Sequence, residues 1–446
     1  MTANKPKLNL FDFTMIMVSF VIGMGIFRTP VNVAAASPTP FVFFAAWIAG
    51  GLIALCGALT YAEIGSRFPV TGGYYRIFSY AYHPSIAFGV NCIILVSNAA
   101  SLAGVALIGA EYIIKVILPG SAHAEEVQIG IAISSILLFY GVNLLGLKMS
   151  ARTQNVLILI KIGMIVLLIT PLFFATQQAT PALTSAVADP TLFEYIRAFG
   201  VGLIAVSFTY GGYQQTINFG EEVKNPAKNI PRGIFIGIFI ILILYLAINY
   251  AYYKIIGFEN LKHTEGIAAV MASHVFGNAA GNILSVFLFL SVLAYVNVLL
   301  MSNPRVMQAM GEEGVLPPAF AKRTVKTNVL LTSLSVFASL CALIVFWAKS
   351  FDKILSFSIF LDCFGMVLSA ATIFILRKRT AHLDDTGIYK MKWFPLMPVI
   401  FILAYIFVAI SIFIDKPATA LTGLGILAGF IVLYFAVKGR GGRRDA

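Results

Sequence analysis

The sequence predicts an all-α polytopic membrane protein with twelve transmembrane helices. Three observations predict it. The 446 residues are 59% hydrophobic and 11% charged, where a soluble domain carries about 25% charged residues. The apolar residues fall into twelve runs, each long enough for the roughly 20 residues that cross a hydrocarbon core. The lysines and arginines gather in every second interval between these runs. Lipid offers backbone groups no hydrogen-bond partner, so the runs are expected as helices rather than open strands.

The first run, 11–36, is interrupted by Gly23-Met24-Gly25 and also carries Arg28 and Pro30. The next four, 41–65, 85–117, 127–147 and 153–175, are continuous, and the last holds Lys161 near its middle. The sixth, 192–219, contains "SFTYGGYQQT" (207–216), interrupted at Gly211-Gly212. Runs 233–256, 279–303, 328–347 and 353–376 follow, the last of them with Asp362, and 394–414 and 417–437 complete the set. Five runs carry the chain from one interruption to the other. Five is odd, so two five-helix units would cross the bilayer in opposite directions. Matched breaks in two such halves point to a transporter site between inverted repeats. No repeat is visible residue by residue.

A net charge of +12 invites a nucleic-acid reading, but the placement of the charges excludes it. With the N-terminus taken as cytoplasmic, one side holds most of the basic residues, from Lys5 and Lys7 through Arg377, Lys378 and Arg379 to Arg443 and Arg444. The other holds Lys115, Arg197, Lys254, Lys262, Lys349, Lys353 and Lys416. That imbalance is the positive-inside pattern, with both termini cytoplasmic. Cys56, Cys92, Cys341 and Cys363 all fall within apolar runs and offer no disulfide or metal spacing. No N-x-Ser/Thr acceptor occurs, and the first run lacks a small-residue cleavage site, so it is expected to be retained.

A broken helix has direct chemistry. The half-helix beginning near Ile26 exposes N–H groups and the positive end of its dipole, a seat for a carboxylate. The half-helices ending near Ile22 and Thr209 expose carbonyls, which suit an ammonium group. Gly23, Gly25 and Gly211 permit close approach of a ligand. A small zwitterion satisfies both sets. The plainer alternative makes these glycines packing points between helices.

These residues also carry a family resemblance. "GMGIFRTP" (23–30) resembles the Gly-Ser-Gly-Ile-Phe signature of helix one in the amino acid–polyamine–organocation superfamily, with Met24 where serine is usual. "SFTYGGYQQTINFGEEVKNPAKNIPRGI" (207–234) is similar to helix six and its following loop in the L-type amino acid transporters. "FPVTGGYYRIF" (68–78) and "NPRVMQAMGEEGVLP" (303–317) resemble that branch's loop after helix two and tract after helix eight. The resemblance implies five plus five inverted helices and two accessory ones, hence units 1–175, 191–376 and 393–437. It implies alternating access, with the backbone of Ile22, Gly23, Met24, Gly25 and Ile26 at the substrate. Carbonyls of Phe208, Thr209 and Tyr210, beside Gly211, would receive the amine, and Phe208 would be an aromatic lid. Thr209 and Tyr213 stand where many relatives have alanine and tryptophan, which bears on the side-chain pocket; Asn98, Ser101, Thr209 and Gln214 are candidates to line it.

Charges inside the membrane need a reason, because burying one costs at least a few kcal/mol. Eight residues, Thr153 to Ile160, carry Lys161 roughly 12 Å inward, too far for easy snorkelling to an interface. Lys161 resembles the helix-five lysine of sodium-independent relatives, where the ammonium takes the place of a sodium ion and ties helix five to helices one and eight. Arg28 and Asp362 should lie at similar depth above the site, and they are expected to close as an outer gate. The alternative sends Arg28 to water and Asp362 to another partner. Glu221 and Glu222 read as loop charges or inner-gate contacts, and Glu63 with Arg67 as a helix-end ion pair. Tyr295 and Asn297 read as packing groups or cavity lining.

His83, His123, His263, His274 and His382 have no metal-ligand spacing, and no HExxH, GxSxG or P-loop occurs, so no metal, cofactor or enzyme activity is expected. An ion channel is the reading from another class, and no repeated pore loop supports it. The expectation is sodium-independent exchange of neutral L-amino acids across a plasma (inner) membrane. Proton symport and transport of cationic amino acids or polyamines are the alternatives. The loop 119–128 has no cysteine, so no disulfide-linked heavy chain is expected and a bacterial single-subunit protein fits.

Overall fold

The structure, a computed structural model, describes residues 7–119, 124–173, 191–264, 266–347, 351–381 and 387–441. Lys5, His123, Lys349, His382, Arg443 and Arg444 lie outside the described residues, as does part of the loop 119–128. The elements are α1 (Leu10–Val21), α2 (Gly25–Ala36), α3 (Pro40–Arg67), α4 (Gly73–Ala81), α5 (Pro84–Ile117), α6 (Ala124–Leu144), α7 (Leu147–Ile169) and α8 (Leu192–Tyr210). They continue with α9 (Pro226–Ile256), α10 (Phe258–Leu261), α11 (Ile267–Phe276), α12 (Asn278–Glu312), α13 (Leu331–Trp347), α14 (Phe351–Arg379), α15 (Leu396–Asp415) and α16 (Pro417–Gly441). Among the described residues no strand forms; isolated bridges pair Leu8 with Val223 and Thr71 with Phe219.

Helix starts follow local chemistry. Asn9 and Asp12 form a capping box at α1, and Thr191 with Glu194 forms one at α8. Proline at the first helical position opens α3, α5 and α9, where its missing N–H costs nothing. Among the described residues eleven stretches are long and apolar enough to span a membrane, counting 10–36 and 192–218 as one each. The ninth expected run, 328–347, falls on α13, whose 17 residues leave it shorter than the others. The eighth extends past its expected end at 303, because α12 continues through Pro304 to Glu312. Side chains bridge that proline: Asn303 Nδ2 donates to the Leu299 carbonyl, and Arg305 to the Met301 carbonyl. The intervals 66–84 and 257–278 hold the short helices α4, α10 and α11.

α5 and α12 pack together, with α14, α6 and α16 around α5. α1 lies on α9 and α7, α2 on α8, and α3 against both α9 and α8. The two interrupted stretches are thereby held side by side within the bundle.

Candidate binding site at the two helix breaks

α1 stops at Val21, and the chain turns through Ile22–Met24 before α2 begins at Gly25. The Gly23 N–H donates to the Val21 carbonyl at 2.8 Å. The N–H groups of Met24, Gly25 and Ile26 have no hydrogen-bond partner among the described residues, as the first turn of a helix dictates. α8 stops at Tyr210, and after Gly211 and Gly212 the chain continues as a 3₁₀ turn over Tyr213–Asn218. Gly212 has φ +110°, and any side chain there would run into the Phe20 carbonyl of α1. Backbone touches backbone where the two breaks meet.

Tyr245 of α9 joins them. Its hydroxyl lies 2.9 Å from the Val21 carbonyl oxygen and 3.2 Å from that of Thr209, one donor shared by both helix ends. On the other side, Thr209 Oγ1 lies 2.6 Å from Thr29 Oγ1, which donates to the Gly25 carbonyl at 2.7 Å. Gly25 therefore packs directly on α8, as the plainer reading of these glycines expects. Gly23 instead faces open space bounded by the Tyr295 ring.

The space between the breaks is a small cavity of about 40 Å³. Gly23, Met24, Gly25, Phe208, Thr209 and Gly211 line it, with Asn98, Ser101, Gln214, Gln215, Tyr295, Asp362 and Tyr405. Ile22, Ile26 and Tyr210 do not. Tyr210 turns outward onto Trp47 and Tyr245, with ring centroids 6.0 and 5.1 Å apart. Asn297 is a packing group, buried and bonded to Gln154, Asn143 and the Ser150 carbonyl. Tyr295 belongs to the cavity wall.

Lys161 is fully buried, and its Nζ donates to the Ile22 carbonyl at 2.5 Å. The carbonyl end of the first break is thus met by a side-chain amine of the protein itself. Arg28 and Asp362, expected to pair as a gate, are not brought together. Arg28 lies 3.9 Å from Glu111 of α5, and Asp362 accepts a hydrogen bond from Ser97 Oγ at 2.9 Å. Counting residues along two helices fixes depth but not the direction each side chain faces, and Glu111 stands nearer.

At the end of the bundle where the chain begins, Glu222 is buried rather than solvated. It accepts from Arg305 Nε at 2.6 Å and lies 3.5 Å from Arg323. Burial, with the like charge of Arg305, holds the Arg323 guanidinium below its usual range, and Glu222 opposes that shift. The Lys7 and Leu8 N–H groups donate to the Glu222 carbonyl, and Asn218 holds Tyr74 and Ser302. Glu221 accepts from Thr71. Glu63 is no ordinary helix-end charge either. Fully buried, it receives Arg67, both faces of the Arg377 fork and the Met391 N–H. Tyr245 and Gln215 carried no signal in the sequence, since an aromatic or an amide near a helix end is commonplace.

A helical bundle whose interrupted helices meet at a polar cavity has the build of a membrane transporter. Comparison with known families makes this specific: residues 8–437 match the amino acid permease family, and the chain belongs to it, within the amino acid–polyamine–organocation superfamily. It is similar to the serine/threonine exchanger SteT of Bacillus subtilis (strain 168), 28% identical over 442 residues and 98% of each chain. It is 26% identical to the large neutral amino acids transporter small subunit 2 of Mus musculus, covering 97% of this chain and 81% of that one. It is also 26% identical to the cystine/glutamate transporter of Pongo abelii, covering 97% and 85%. The chain is thus a multi-pass membrane transporter of the amino acid class, not an enzyme.

Proposed function

We propose that the chain exchanges amino acids by alternating access, without sodium, across the inner membrane of a bacterium, with both termini cytoplasmic. The observation that carries this reading is the meeting of two helix breaks at one cavity, where unpaired amides of Met24 and Gly25 face the carbonyl end of α8. A substrate carboxylate is received at the start of α2 and its ammonium at the carbonyls of Phe208–Tyr210, with Phe208 closing over it. The helices are read as inverted repeats, 1–175 and 191–376, and the accessory pair 393–437, α13 counting as a span despite its length. On Ile22, Lys161 takes the place a sodium ion would fill, and the salt-bridged end at Glu222 is the cytoplasmic one, shut in this state.

Two supports favour exchange of neutral amino acids: the L-type helix-six tract, and relatives named for serine/threonine exchange and for large neutral amino acids. The absence of a cysteine in 119–128 favours a protein that works without a disulfide-linked subunit. The test is uptake of a labelled amino acid panel by purified protein in liposomes, with and without internal amino acid and with and without sodium. Uptake should require internal amino acid and ignore sodium. Dependence on a sodium gradient, or equal uptake into empty liposomes, would overturn the reading.

A further inference from the structure

We propose that a second cavity, between the turn from α6 to α7, α12 and the start of α13, seats the phosphate group of an anionic membrane phospholipid. Asn143, Leu147, Met301, Arg305, Arg323 and Leu334 line it, and it shares no residue with the space between the helix breaks. Its volume is about 40 Å³. That is room for roughly three waters, which is also the scale of the free oxygens of one phosphate.

The wall is built for an anion. Arg305 keeps 7% exposure; its Nε and Nη1 donate to Glu222 and the Met301 carbonyl, while its Nη2 has no hydrogen-bond partner among the described residues. Arg323 Nη2 donates to Gln308 at 2.7 Å, and its Nη1 lies 3.5 Å from Glu222. Glu222 thus serves two guanidinium groups, and the next acid, Glu312, is taken by Arg76. Burial and the charge of Arg305 hold Arg323 below its usual range against the pull of Glu222 and Glu312. An added anion would restore that balance. α7 also begins in this wall, at Leu147, and its cap residue Gly146 offers no side chain to the N–H groups of the first turn. A helix start favours an anion, and a guanidinium fork matches phosphate oxygens.

The surroundings select a lipid over an anion from solution. α6, α7 and α12 are long and apolar enough to span a membrane, and the cavity lies where α6 ends and α7 begins. Beside its lining residues in the chain, Leu145, Met149 and Leu331 are 63%, 43% and 44% exposed, apolar surface along which acyl chains can run. The turn at Gly146 meets the one before α13, since a Cβ on Gly146 would stand 2.9 Å from the Thr327 carbonyl oxygen. Lys148 and Lys326, both exposed, stand on either side of that contact. Basic pockets between transmembrane helices recognise anionic headgroups in this way.

The experiment is native mass spectrometry of the purified full chain, delipidated in an uncharged detergent and titrated with dioleoyl phosphatidylglycerol or dioleoyl phosphatidylcholine. The acyl chains match, so only the headgroup differs. Half-occupancy by the first phosphatidylglycerol should come at a concentration at least about tenfold lower, the scale of a hydrogen bond to a charged group. Arg323→Gln should bring that ratio close to one. Replacing the exposed Lys148 and Lys326 by Gln should lower it less, because exposed charges contribute little. Equal occupancy by the two lipids in the wild type overturns the site even if Arg323→Gln fails to fold. A preference lost in the lysine variant and kept in Arg323→Gln also overturns it, the attraction then belonging to the surface. Inorganic phosphate is the third arm and should not displace phosphatidylglycerol. If phosphate alone raises the unfolding midpoint as far as phosphatidylglycerol does, the ligand is a free anion and the lipid assignment fails.

Discussion

Lys161 Nζ rests 2.5 Å from the carbonyl oxygen of Ile22, the residue that caps the first broken helix. A helix C-terminus carries partial negative charge, and a buried ammonium there offsets it without an ion from solution. Lys161→Met keeps most of the volume and removes the charge. It leaves a buried carbonyl short of a donor, at a cost of about 1–3 kcal/mol. Thermal unfolding of the variant should fall, and uptake should drop with it. In the wild type neither quantity should respond to replacing sodium by choline; a sodium-dependent rise in the unfolding midpoint would contradict the role given to Lys161.

The shared hydroxyl of Tyr245 makes a second prediction. Tyr245→Phe keeps the ring against Trp47 and Tyr210, at 6.2 and 5.1 Å, and deletes the donor that serves Val21 and Thr209. Stability should drop by about 1 kcal/mol, the net worth of an ordinary hydrogen bond, while transport falls more steeply because the two breaks lose their tie. Comparing the unfolding midpoint with the uptake rate separates the effects. A variant that transports like its parent would show that the breaks need no such link.

The sequence displayed the breaks and the buried charges because each violates what a lipid-spanning helix wants: glycine pairs, Lys161 and Asp362 stand out against apolar runs. It did not display what those groups touch. Arg28 and Asp362 agree in depth, yet their directions send them to Glu111 and Ser97. Glu63 and Arg67 are visible as an i,i+4 pair, but Arg377 joins them from 314 positions away. Tyr245 lies among several tyrosines of α9, and nothing local separates the one that bridges two carbonyls from those that face outward. Contact across helices is set by packing, which no single run records.

Gly25 and Gly23 differ in what a methyl group would meet. A Cβ on Gly25 would stand 2.8 Å from Thr209 Oγ1 and 3.2 Å from the Thr209 Cα, inside a pair of hydroxyls already bonded to each other. Gly25→Ala should therefore lose about 1–3 kcal/mol to overpacking. On Gly23 the nearest atoms are ring carbons of Tyr295 at 3.5 and 3.6 Å. Gly23→Ala should fold like its parent but narrow the cavity, which weakens the shift that amino acids give to its unfolding. Thermal scans of both variants, with and without substrate, test the pair; equal destabilisation of the two would refute the distinction.

Glu222 holds two arginines, Arg305 and Arg323, from a position that is itself 3% exposed. Neutralising it with Glu222→Gln leaves two like charges together in a confined place, and breaking a buried pair in this way costs about 3–5 kcal/mol. That end of the bundle bears the loss, since Arg305 belongs to α12 and Glu222 to the turn after the second break. Ser302 reports on it: fully buried, with Asn218 Nδ2 donating to its hydroxyl at 3.0 Å. A Ser302→Cys chain should react slowly with a membrane-impermeant maleimide, and adding Glu222→Gln should raise the rate at least about tenfold as the population opens. Substrate present on that side should slow the labelling again. Rates that do not change with Glu222→Gln would mean that the ion pair braces a static loop and plays no part in closing the site.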